Sequence, residues 1–212
     1  MPAIVLALGI VGLVGCAPRG APPRATLGAQ ARIAVLPFRA GAVLGPRAEV
    51  QPAPAGSAVP EAVGEVIAHG LAERLARTGL SIVRPEAVVD AVPPGGSYDP
   101  PLAARVARRL GADLAVLGAV ARYRQRVGSA WAVEQPASVA YEAALVRGTD
   151  AAVLQLARFD YTQQALSENL LDLPRFLRGR GRWLTREEIL DGALDETAAR
   201  LAGAVRSGLP AR

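Results

Sequence analysis

The sequence predicts an α/β fold: a mixed sheet, with a parallel βαβαβ portion followed by an antiparallel hairpin, covered by helices. Three observations predict it. Residues 32–38 (RIAVLPF), 80–84 and 113–122 are short runs rich in apolar residues, and the first and third are apolar on both faces, as strands of a covered sheet are. Amphipathic helix patterns separate these runs, and strand–helix–strand passages of this kind make right-handed parallel crossovers. Residues 139–146 and 151–161 then follow as two strands joined by Arg147-Gly148-Thr149-Asp150, a tight-turn composition that reverses the chain.

Taken in order, the chain opens on an apolar stretch, Ala3 to Val14, broken only by Gly9 and Gly12. It is shorter than the roughly 20 residues a helix needs to span a bilayer and has the length of a signal-peptide apolar core. It ends in Leu13-Val14-Gly15-Cys16, and Cys16 is the single cysteine of the chain. Residues 17–31 carry Pro18, Pro22 and Pro23 and read as a tether, with a reach of roughly 50 Å when extended. The organisation expected is a signal peptide over 1–15, a modified cysteine and tether over 16–31, one α/β domain over 32–206 and a tail over 207–212.

Residues 40–58, with Gly41, Gly45, Pro46, Pro52, Pro54 and Gly56, read as a long irregular loop. Pro60 and Glu61 suit a helix start. Val63, Ile67, Leu71 and Leu75 give that helix one apolar face, and Gly79 suits its end. Residues 85–92 read as a short helix before the loop Pro93-Pro94-Gly95-Gly96. Asp99 reads as the cap of a third helix, with Leu102, Val106 and Leu110 as its stripe and Gly111 as its stop. Residues 124–136 read as a turn region holding Arg124, Arg126 and Trp131. Thr185 and Glu188 have the spacing of a capping box, with Leu184 placed to staple onto Ile189, at the start of the last helix.

The formal net charge of the 212 residues is +5, and every basic residue is arginine. Hydrophobic residues make up 51%, which excludes a disordered chain. One cysteine allows no internal disulfide, so packing alone must hold the domain.

The Leu-Val-Gly-Cys ending resembles the bacterial lipobox. The resemblance implies cleavage before Cys16 and acylation of Cys16. A membrane partner held through those acyl chains follows, with the body in the periplasm, and nucleic acid is not a partner there. Ala17 after the cysteine resembles the outer-membrane sorting class. The order RIAVLPF, amphipathic helix, Val83-Arg84-Pro85 and Gly111-Ala112-Asp113-Leu114-Ala115-Val116-Leu117-Gly118 resembles the periplasmic α/β family of the curli-secretion lipoprotein CsgG, the penicillin-binding-protein activator LpoB and the TolB N-terminal domain. The stretch Asp160, Thr162, Gln163, Leu166, Glu168 and Asn169 resembles uncharacterised bacterial lipoproteins. This resemblance implies a non-enzymatic binding or assembly factor for another envelope protein, and it leaves an oligomer open. Residues 124–136 are too short and too charged to supply a membrane-inserting hairpin, whose strands need about 9–11 residues each.

No nucleophile elbow, phosphate loop or metal-ligand cluster is present in the sequence. His69 lies one turn from Glu65 and from Glu73 on a helix, and three such residues without a further ligand make a solvated face, not a metal site. No catalytic residue, cofactor or metal is expected. Two polar groups are candidates for interaction. The first is Asp160, Thr162, Gln163, Glu168 and Asn169, whose bland reading is local capping of the backbone. The second is Arg175, Arg178, Arg180, Arg182 and Trp183, since arginine forks beside aromatics suit interface anchors. The alternatives are a ligand-binding protein or hydrolase with a cleft near Asp160 and Glu168, and an accessory subunit of a ring-forming secretion assembly.

Overall fold

The structure, a computed structural model, describes residues 31–54, 59–95, 97–131, 133–164 and 182–208. Its centre is β1 (Arg32–Val35), whose Ile33 and Ala34 are fully buried. β1 lies between two parallel neighbours, β5 (Ser81–Ile82) and β6 (Leu114–Arg124), with Ile33 opposite both Ile82 and Leu114. β9 (Ser138–Arg147) pairs antiparallel with β6, and β10 (Val153–Thr162) pairs antiparallel with β9, so the sheet runs β10-β9-β6-β1-β5. The expected mixed sheet is therefore present, with its parallel part first and its hairpin second.

Among the described residues four helices cover the two faces. α1 (Ala62–Arg77) and α4 (Arg186–Ser207) pack on one face, where Ile67, Leu71, Leu75, Leu194 and Leu201 meet Ile33, Val116 and Leu145. α2 (Pro85–Ala91) and α3 (Pro100–Arg109) pack on the other, where Val88, Leu102 and Val106 meet Ala34, Ala115 and Leu117. The stop signals act as their chemistry dictates. Gly79 and Gly111 have positive φ, at 87° and 62°, just past α1 and α3. Asp99 caps α3 by accepting from the Leu102 N–H at 2.9 Å.

A few side chains lock the layers. Arg74 of α1, only 11% exposed, bridges to Asp191 and Asp195 of α4 and donates to the Gly70 carbonyl at 3.1 Å. The Tyr141 hydroxyl meets Thr197 at 2.8 Å inside the core, and burial pushes that hydroxyl's pKa up, so it stays a neutral partner. Phe38, Tyr141, Phe159 and Tyr161 form a row of ring contacts running from β1 toward the edge of the sheet, with centroids 5.7–6.4 Å apart.

Residues 40–54, the described part of the stretch read as an irregular loop over 40–58, are not the loop expected. They hold β2 (Arg39–Ala40), parallel to β6, and a small hairpin of β3 (Ala42–Leu44) and β4 (Val50–Pro52). The hairpin is fixed from outside itself: Glu142 of β9 accepts from the Leu44 N–H, and Leu44 and Ala48 are buried against α3's face. Residues 124–136 likewise hold a two-stranded element, β7 (Val127–Gly128) with β8 (Val133–Gln135). The strand read over 80–84 pairs only through Ser81 and Ile82, after which Val83 N donates to Ile33 O at 2.9 Å. Among the described residues no helix is long and apolar enough to cross a membrane.

Candidate interaction surface

The far end of β6 leads to the most exposed aromatic among the described residues. β6 runs out of the core at Tyr123 and Arg124, and β7–β8 project beyond it with Trp131 between the two short strands. Trp131 is 75% exposed and Val127 is 48% exposed. Burying an aromatic of this size is worth several times the burial of a methyl group, so an aromatic left in water calls for a reason. Arg124, the last residue of β6, is exposed, and its side chain makes no ion pair or hydrogen bond to another described residue.

This end is braced. Trp183 N donates to Ala130 O at 2.9 Å, and the Arg126 guanidinium donates back to the Trp183 carbonyl. Gln125 links to Glu187 at 3.0 Å and accepts from the Arg186 N–H at 3.3 Å. The Arg186 guanidinium lies 4.5 Å above the Tyr123 ring. The start of α4 thus holds the hairpin in place, which lowers the ordering cost of any contact made by Trp131.

The structure gives the polar residues singled out in the sequence internal work. Gln163 is 2% exposed; its Nε2 donates to Arg182 O at 3.1 Å and its Oε1 accepts from Leu184 N at 2.7 Å, so one amide joins the chain at 163 to the chain at 182–184. Thr162 meets Ser138 across the strands at 2.6 Å. Asp160 pairs with Arg122 on the exposed strand surface. Arg182 grips Glu188, and Trp183 makes the backbone bond to the hairpin. These five residues, before and after the crossing, tie backbone and strands together. Cys16, Glu168, Asn169, Arg175, Arg178 and Arg180 lie outside the described residues.

Thr185 and Glu188 form the full capping box of α4: Thr185 Oγ1 accepts from Glu188 N at 3.2 Å, and Glu188 accepts from Thr185 N at 2.9 Å. The Arg182 guanidinium, with Thr185 N–H adding to it, holds the Glu188 carboxyl down at about 2. A depressed carboxyl contributes stability that is present above its unfolded value and lost as pH falls toward the folded one. The bond from Gln125 to α4 rests on the same turn, so acidification from about pH 4.5 to about pH 2 is expected to loosen α4's start and the hairpin together. Amide exchange of Ala130 and Trp183 measured across that range checks it, and Glu188→Gln should flatten the response.

His69 lines a shallow groove between α1 and α2 with Glu65, Ala68, Pro85 and Val89. Among the described residues no three His, Cys, Asp or Glu side chains are grouped to hold a metal ion.

No protein-family model matches the chain, and no curated protein does. Solved structures of similar shape include a PelC dodecamer from Paraburkholderia phytofirmans, at 17% identity over 88% of this chain and 93% of that one, TM-score 0.48. The lipoprotein GNA1162 from Neisseria meningitidis gives 15% identity over 71% and 96%, TM-score 0.41. The LpoB C-terminal domain from Salmonella enterica gives 14% over 64% and 85%, TM-score 0.39. These scores all lie below 0.5, and no residue's role follows from them.

Proposed function

We propose that this chain is an outer-membrane-anchored periplasmic lipoprotein that works by binding another envelope protein and not by catalysis. The observation that carries the reading is Trp131, left 75% exposed on a hairpin that Arg126, Gln125 and Trp183 hold rigid. A fixed aromatic on a hairpin that follows an exposed arginine, Arg124, at the end of β6 has the composition of an interface hot spot. The lipobox ending at Cys16 supports the compartment, and the tether of residues 17–31 gives the domain room to meet a neighbour.

The test is capture at the tip itself. A photo-crosslinking residue placed at Val127, 48% exposed on the same hairpin, is expected to capture one discrete envelope protein in the native envelope. Trp131→Ala is expected to weaken recovery of that protein roughly thirtyfold, the loss of about 2 kcal/mol typical of a hot spot. Capture of lipid alone, or of nothing while the protein is folded and anchored, overturns the reading.

A further inference from the structure

The sheet ends unequally. One end is β5, only two residues long. The other is β10, ten residues long, and among the described residues no strand pairs with its outer side. Proteins blunt such edges with proline, short strands, bulges or guarding charges. β10 has no proline, and its one irregularity lies at its start, between Val153 and Gln155, leaving the stretch up to Thr162 regular. Its two charges are engaged inward: Arg158 with Glu142 at 2.8 Å, and Asp160 with Arg122. Both stay open to solvent, with Arg158 59% and Asp160 70% exposed.

The geometry points to a second copy of this chain as the occupant of that edge, added antiparallel so that two sheets become one. A two-fold axis perpendicular to the sheet keeps each residue's face, and directly opposed residues of an antiparallel pair share a face. The axis must therefore fall on one residue. Centred on Arg158 it sets arginine against arginine, and centred on Asp160 it sets aspartate against aspartate. Centred on Phe159 it sets Arg158 against Asp160 of the second copy, twice by symmetry, and Phe159 against itself.

Both faces of the joint then match. On one, Glu142, Arg158, Asp160 of the second copy and its Arg122 alternate in sign across the seam. On the other, Phe159 already stacks on Tyr141 at 5.7 Å and 25°, so two stacked pairs meet edge to edge. On that face Ala157 also falls opposite Tyr161, small against large, while on the charged face Leu156 falls opposite Thr162. Opposite charges and aromatic pairs facing each other across strands are the contacts that stabilise sheets.

The test uses the full chain in detergent, carrying Cys16→Ala so that an introduced cysteine is its single thiol. Under mild oxidation Phe159→Cys is expected to give mostly covalent dimer. Ala157→Cys, whose two copies this register holds about 13 Å apart, is expected to give at least tenfold less, because that exceeds disulfide reach. Adding Arg158→Asp to Phe159→Cys is expected to cut the dimer at least tenfold, and the exchange Arg158→Asp with Asp160→Arg to restore it. Light scattering on the chain with Phe159 intact reads the same effect of Arg158→Asp on mass. Equal crosslinking at 157 and 159, no loss on Arg158→Asp, or a monomer by mass overturns the proposal.

Discussion

Gly64→Ala is expected to destabilise the domain by about 3 kcal/mol, near the upper end of what added atoms cost in a packed interior. Gly64 sits in the first turns of α1 where the helix touches the end of β1. Its carbonyl accepts from Phe38 N at 3.2 Å, and a Cβ added to it would land on the Phe38 carbonyl oxygen. Alanine would return up to about 1 kcal/mol in helix propensity, but the obstacle is backbone, which has no rotamer to change. Gly118 of β6 faces the other side of the same residue: its Cβ would strike the Phe38 ring. Gly118→Ala is therefore expected to cost less, about 2 kcal/mol, because a side chain gives way more readily than a strand. The distinction is measurable by urea titration of double variants. Phe38→Leu should recover most of the loss in Gly118→Ala and none of it in Gly64→Ala. Rescue of both, or of neither, would show that Phe38 is not the shared obstacle.

The same two glycines show what a single sequence can and cannot disclose. β1, α1, α3 and the hairpin of β9 and β10 were legible because each carries its own signal: apolar runs, a four-residue stripe, Asp99 at a start, Gly79 and Gly111 at the stops, and Thr185 with Glu188 at the last helix. Nothing in the local sequence of Gly64 or Gly118 says that both press on Phe38, since that is fixed by where α1 and β6 come to lie. Residues 40–58 misled for a related reason. Their glycines and prolines describe a loop, while β3 and β4 owe their order to Glu142 and to α3, far along the chain. β7 and β8 have two and three residues, too few for an alternating pattern to register. At the candidate surface the polar residues were visible, but the partners that Thr162 and Gln163 take, Ser138 and the chain at 182–184, are set by the tertiary fold and not by the local sequence. Trp131 carried the opposite problem: an aromatic in a sequence suggests a core position, and its exposure becomes evident only when the hairpin is seen to lead away from the sheet.

Cys16→Ala is expected to abolish the membrane-bound mature form altogether. Acylation contributes about 0.8 kcal/mol for each buried methylene, and one chain alone holds a protein only marginally, so the anchor proposed here depends on the set of chains that this one residue would carry. Among the described residues of the domain no helix is long and apolar enough to cross a membrane. Two measurements separate the steps. Intact mass should change from a lipid-bearing chain beginning at residue 16 to a longer chain that retains residues 1–15. Fractionation should show the outer-membrane pool of the variant reduced at least a hundredfold. A variant that is still cut and released would mean an ordinary signal peptide. A variant that still co-fractionates with outer membrane would mean that the domain holds the membrane through its own surface, and the exposed Trp131 with Arg124 would be the first place to look. Crosslinking at position 127 in the released variant keeps the two readings apart, since a rigid protein-binding tip should capture its partner from solution as well as from the membrane.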